Sequence, residues 1–228
     1  MVRKIFLTLA FCFIGSISVF AQDWDASDEA SYHSSIVKIS GDGYSGSGTV
    51  IKFIEDSSKY EGYYYGWILT ASHVIHSTQT DFTVYFNNGD VTTNARVVIK
   101  KNDSDSFNDL GLIRGLIPKD IKPIETRTED IPIGEKVELC GFGTGQFRHW
   151  NAKYGGEGMD NGGHIIFSWA IQGDSGGPII YNGKVVGVIC FGTGIKKYKE
   201  TNRVIVGPIY GSNVERVDNH INPQISES

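Results

Sequence analysis

Cysteine is too scarce in this sequence to build a disulfide-stapled scaffold. Of three in 228 residues, Cys12 lies in an N-terminal apolar run, which leaves only Cys140 and Cys190 to pair. Two readings of them stay open, a disulfide, which export would permit, and two small buried thiols on separate strands. The six prolines fall well short of a proline-rich or collagen-like chain. Past Phe20 no apolar run approaches the length of a membrane-spanning helix. Dense Lys/Arg clusters are also missing, and the formal charge is −5. Nucleic acid is therefore not the expected partner, because phosphate binding requires concentrated positive charge. The nearest approach, Lys196, Lys197 and Lys199 around Tyr198, reads as a solvated loop. The chain shows no internal repeat and no low-complexity segment.

What is present begins with an export signal. Arg3 and Lys4 precede an apolar run from Ile5 to Phe20, and Val19-Phe20-Ala21 supplies the small residues that signal peptidase needs. Residues 1–21 are thus expected to be removed, with cleavage before Gln22, which makes the protein secreted or periplasmic and free of the membrane afterwards. A retained anchor is disfavoured by the shortness of the run. The 207 residues that follow suffice for one large β domain or two small barrels with a shared interface, and a monomer is expected.

Short β-rich runs alternate with turn residues, the pattern of an all-β sandwich or barrel. They are Ser35 to Ile39, Gly48 to Phe53, Gly66 to Thr70, Phe82 to Phe86, Ala95 to Lys100, Val137 to Gly141, Ile165 to Trp169, Pro178 to Tyr181 and Lys184 to Cys190. Asn88-Gly89, Asn182-Gly183 and Gly41-Asp42-Gly43 mark hairpin turns. Ile117 to Ile133, with three prolines and many charges, reads as a linker between two halves. A halving at residues 22–125 and 126–228 follows. Only the tail reads as helical, with Ser212 capping a turn that carries Val214, Val217 and Ile221.

The chemistry concentrates in Gly173-Asp174-Ser175-Gly176-Gly177-Pro178, a tight loop between apolar runs. A serine hydroxyl becomes a nucleophile only if it is exposed, aimed and hydrogen-bonded to a base, and flanking glycines allow the turn and admit a substrate. The Gly173 and Ser175 amides are the candidate oxyanion donors, each typically worth about 3 kcal/mol. Against this stands a Gly-rich β-turn with an incidental serine. Of six histidines, His73 has the setting of a base, since it follows the apolar strand Trp67 to Leu69 and a small-residue turn. His76 reads as a surface neighbour, while His33, His164 and His220 read as solvated. The third member has to be a carboxylate fixed beside an apolar strand, and Asp109, which precedes Leu110-Gly111-Leu112-Ile113, meets that need better than Asp103 or Asp105 in their polar run.

These motifs together resemble the chymotrypsin/trypsin-like serine peptidases in their compact bacterial form. The residues that carry the resemblance are Leu69-Thr70-Ala71-Ser72-His73-Val74, Asp109 to Ile113, the loop around Ser175, Val185 to Ile189, and the small residues Ser45 to Val50. The order His, Asp, Ser is the family's and differs from the subtilisin and α/β-hydrolase orders. The resemblance spans about Ser35 to about Val217. It implies two six-stranded antiparallel β-barrels with the triad in the cleft between them, a short C-terminal helix, and peptide hydrolysis in protein substrates without a cofactor. It also implies that Trp169, Gln172, Cys190, Phe191 and Gly192 bind substrate, the last three as an edge for the substrate backbone. Trp169 would lie near the pocket floor where trypsin-type enzymes carry an aspartate, so small or apolar residues are expected before the cut. The activating Ile-Val-Gly-Gly terminus of many relatives is not visible, so Asp174 lacks an obvious partner. The expected partner is either a signal-cleaved amine at Gln22 or a nearby basic or hydroxyl side chain. With no further domain after Ile221, a chaperone-protease is not expected.

Overall fold

A computed structural model describes residues 33–213 apart from 42, 55–59, 76–80, 103–108, 128–129, 158–162, 193–194 and 199–201; side chains of 98–102 and of all residues from 191 onward are likewise outside the description. The expected signal segment, His76, His220, and Val214 with the tail beyond it lie outside the described residues.

Six strands, β1 (Ile36–Gly41), β2 (Tyr44–Phe53), β3 (Tyr63–Thr70), β4 (Asp81–Tyr85), β5 (Val91–Asn102) and β6 (Asp109–Pro118), form a barrel in the order β1-β2-β3-β6-β5-β4. It closes where Ile39 of β1 faces Val84 of β4. Closure needs bends, and the register shifts between Val50 and Lys52, Phe82 and Val84, and Val97 and Ile99 provide them. Ile36, Ile39, Ile68, Val84, Leu112 and Ile113 are fully buried in its core.

The second half contains β7 (Lys136–Gly141), β8 (Arg148–Glu157), β9 (His164–Ile171), β10 (Pro178–Tyr181), β11 (Lys184–Gly192), β12 (Ile195–Tyr198) and β13 (Asn202–Asn213), in the order β11-β10-β7-β8-β9-β13-β12. This sheet curls until β11 also pairs with β13. Its core is built on Val137, Leu139, Trp150, Tyr154, Ile166, Ile179 and Val186. The expected double-barrel architecture is thus observed, with almost no helix among the described residues. Ser212, expected to cap a helix, is instead a β13 residue opposite Val188. Tyr154 to Glu157, despite Gly155-Gly156, belongs to β8.

The two halves share a cluster of buried side chains. Cys140, Phe142, Ile180, Val185 and Val188 of the second sheet join the core cluster of the first barrel. The connecting segment is bound to both halves, by Ile124 N–H to the Val50 carbonyl at 2.9 Å and by Arg127 N–H to the Val185 carbonyl at 3.0 Å. Asn182 and Gly183 form the β10–β11 turn with φ of 50° and 73°, the double positive φ that an Asn-Gly hairpin supplies.

Candidate active site

Strand register alone brings two of the sequence-predicted residues together. β3 ends opposite the start of β6, with Thr70 facing Gly111, so the chain leaving β3 and the first residue of β6 lie on one rim. A single 3₁₀ turn, Ser72–Ile75, then folds back over that rim. It lies so close that a Cβ on Gly111 would stand 2.6 Å from Ile75 Cδ1. The His73 ring is left exposed at 44 %, and its Nδ1 contacts Asp109 Oδ2 in a short hydrogen bond. The His73 backbone N–H donates to Asp109 Oδ1 at 2.8 Å. Both carboxylate oxygens therefore hold one histidine, which fixes Nδ1 as the protonated nitrogen and leaves Nε2 for other work.

The third residue arrives from the second sheet. Ile171 to Asp174 form one turn, closed by Asp174 N–H to the Ile171 carbonyl at 3.0 Å, and Asp174 to Gly177 form the next, closed by Gly177 N–H to the Asp174 carbonyl at 3.0 Å. Gly173 and Gly176 take the third position of each, with φ of 104° and 85°, a backbone that side chains rarely tolerate. Ser175 stands at the second position of the second turn, partly buried. Gly176 also permits close docking on the first barrel, because a Cβ there would lie 2.2 Å from the Ser47 carbonyl oxygen and 2.3 Å from Thr70 Oγ1. Val74, the neighbour of His73, and the Ser175 carbonyl oxygen converge on Gly46, whose added Cβ would stand 2.6 Å and 2.9 Å from them.

Each carbonyl from Gln172 to Ser175 has a donor. Thr144 N–H reaches the Gln172 carbonyl at 3.2 Å, Ser47 Oγ the Gly173 carbonyl at 2.7 Å, Gly177 N–H the Asp174 carbonyl, and Ser47 N–H the Ser175 carbonyl at 2.7 Å. Of the amides from Gly173 to Gly176, Asp174 donates to Ile171 and Gly176 to Ile189 at 2.8 Å. The Gly173 and Ser175 amides alone donate to nothing among the described residues. Two free N–H groups, one two residues before a serine and one its own, are the arrangement that can stabilise a developing oxyanion.

Asp174 is fully buried, and Arg148 supplies the basic partner expected for it. Arg148 Nη1 binds Oδ2, which also accepts Ile171 N–H at 2.8 Å, while Oδ1 accepts Gly143 N–H at 2.8 Å. Burial pushes the Asp174 carboxyl above its ordinary value, opposed by Arg148 and the two amides. Burial likewise lowers Arg148, opposed by Asp174. The guanidinium lies 4.5 Å from the ring centroids of both Trp150 and Trp169. Trp169, expected near a pocket floor, thus has its indole against Arg148. Sequence reasoning missed Arg148, although a buried aspartate without a partner is itself a signal to search for a cation.

The remaining predicted residues are placed as follows. Gln172 is exposed at the second position of the first turn. Cys190 is buried, its Sγ donating to the Val188 carbonyl at 3.2 Å and contacting the Asp109 carbonyl at 3.6 Å. Both Cys140 and Cys190 are free thiols, which closes the question of a disulfide between them. Phe191 and Gly192 pair with Tyr210 and Ile209 of β13 on one side. β10 follows β11 only to Val188, so Phe191 and Gly192 lie past the end of that pairing. His164 is not solvated as expected. It is buried, with Nε2 donating to the Val186 carbonyl at 2.9 Å and Nδ1 at 3.1 Å from the Tyr154 hydroxyl. His33 is half-buried, its ring 3.8 Å from that of Phe147. Among the described residues no group of three His, Cys, Asp or Glu side chains is placed to hold a metal.

Residues 63–207 match the family model described as Trypsin. Among solved structures, the chain is similar to the Rv3671c protease in an inactive form, with 22 % identity, a TM-score of 0.62, and coverage of 88 % of this chain and 93 % of that one. It is similar to a serine endoprotease from Yersinia pestis at 18 % identity and a TM-score of 0.65, covering 86 % of this chain and 64 % of that one. A serine-to-alanine mutant of Rv3671c from M. tuberculosis H37Rv, also inactive, matches at 20 % identity and a TM-score of 0.61, covering 91 % and 96 %.

Proposed function

This chain belongs to the trypsin family of serine endopeptidases, and from that premise we propose that it is exported and cuts polypeptides through an acyl-enzyme on Ser175. His73 Nε2 takes the Ser175 proton as Oγ attacks the scissile carbonyl, and the resulting imidazolium is held by Asp109. The Gly173 and Ser175 amides receive the negative charge on the former carbonyl oxygen. His73 then gives its proton to the departing amine, and a water molecule repeats the sequence on the acyl-enzyme. The edge of β11 at Phe191 and Gly192, past the end of its pairing with β10, is the place for the substrate backbone to add as a strand.

The observation that carries this reading is the pair of free amides beside a histidine whose tautomer Asp109 already fixes. Such a site is preformed, with no rearrangement needed to expose the donors. Asp174, satisfied by Arg148, Ile171 and Gly143, has no need of a chain-terminal amine. The protein freed of residues 1–21 should therefore label with a fluorophosphonate and digest casein without prior cleavage. Ser175→Ala should abolish both, and fragment masses should show no concentration of cuts after Arg or Lys. Labelling that persists in Ser175→Ala would reject Ser175 as the nucleophile; an unlabelled, inactive wild type would reject the preformed site.

A further inference from the structure

Ser47 touches the loop more often than any residue assigned to the chemistry, yet it sits on β2 of the opposite barrel and is fully buried. Its hydroxyl donates to the Gly173 carbonyl at 2.7 Å and accepts Phe142 N–H at 2.7 Å. Its own N–H donates to the Ser175 carbonyl at 2.7 Å. Thr70 Oγ1 in turn donates to the Ser47 carbonyl at 2.7 Å. One side chain thus spends both hydrogen-bonding roles of a hydroxyl on the segments that shape the oxyanion donors.

We propose that Ser47 is a positioning residue that holds the two oxyanion donors in their working orientation from across the barrel interface, a role that rests on the reading of Ser175 as nucleophile. The Gly173 carbonyl belongs to the peptide plane between Gly173 and Asp174, and the Ser175 carbonyl to the plane between Ser175 and Gly176. Fixing those two planes on either side of Asp174 leaves the chain between them little freedom to rotate. The Ser175 amide lies in that interval and the Gly173 amide at its border. The bond from Phe142 N–H ties the turn after β7 to the same hydroxyl, and that turn carries Thr144, whose amide pins the Gln172 carbonyl. Without the hydroxyl, Phe142 N–H and the Gly173 carbonyl both lose the partner they share. A buried unpaired carbonyl is free to gain by turning, and the turn that relieves it misaims the donors.

The test compares Ser47→Ala with Thr92→Val, which removes a hydroxyl bonded to the Leu116 carbonyl at 2.7 Å within the first barrel and away from the loop. For a peptide substrate, Ser47→Ala should lower kcat by about 10- to 100-fold, the loss expected when an oxyanion donor is misplaced rather than removed. KM should stay within about twofold, since the substrate-pairing edge is untouched. Fluorophosphonate labelling should slow in parallel. Thr92→Val should lower the melting temperature while kcat stays at the wild-type value. The inference is overturned if Ser47→Ala keeps wild-type kcat, or if activity in both variants simply follows the melting temperature. A wild type that shows no Ser175-dependent labelling overturns the underlying reading, and this inference with it.

Discussion

Gly173 is where one missing side chain decides the geometry of the site. Its φ of 104° lies in the left-handed half of the map, and a Cβ there would meet the Phe142 carbonyl oxygen at 2.7 Å. Gly173→Ala forces the first turn toward negative φ, which rotates the Gln172–Gly173 peptide and withdraws its N–H. The expected result is a kcat lowered by about 100- to 1000-fold with the fold retained, measured by steady-state kinetics alongside circular dichroism. The sequence made this residue legible, as it did His73, Asp109 and Ser175, because each is marked by residue type and strand-end position. Arg148 and Ser47 were not legible in the same way. Their roles follow from contacts across 26 and 126 residues of chain, which no local pattern encodes. His164 misled for a related reason, since neighbouring glycines suggest a loop while the β8–β9 pairing of Glu157 with His164 draws it into the core.

At the scale of elements, β8 and the turn before it act as one support. Arg148 opens β8 and lies between two indoles that themselves stand 6.4 Å apart. A planar guanidinium stacks there as an ammonium cannot, and a desolvated contact of this kind is worth about 2 kcal/mol. Arg148→Met should cost about 3–5 kcal/mol in urea unfolding, because it leaves the Asp174 carboxylate buried and unpaired. Peptidase activity should fall with it. β8 escaped sequence reading altogether, and in its second half Gly155-Gly156 and a register shift between Tyr154 and Gly156 interrupt the alternation. β13 escaped because Pro208 argues against an inner strand. The structure accommodates it because Pro208 falls between the end of pairing with β12 at Ile205 and the start of pairing with β11 at Ile209. On that side no described strand is in register with it to ask for an N–H, while on the other it faces Phe167 of β9.

Across the whole molecule, stability should follow the buried His164. Burial lowers its folded-state pKa below the ordinary histidine value of about 6.5, so the unfolded chain binds the proton first as pH falls. Stability is therefore fully present above about pH 6.5 and declines below it, by up to about 1.4 kcal/mol per pH unit, until the folded-state value is passed. Urea midpoints at pH 7.5 and 5.5 should show the decline, and His164→Gln should reduce it. The loop around Ser175 carries a different consequence for the molecule as a whole. Its carbonyls are held by Thr144 before β8, by Gly177 after the serine, and by Ser47 from the other barrel, while Ile189 holds the amide of Gly176. The site thus behaves as a coincidence gate, complete only when every contributing segment has docked. On the proposed reading, a half-folded chain that already holds His73, Asp109 and Ser175 but lacks these bonds has no aimed donors beside the serine and is expected to be inactive.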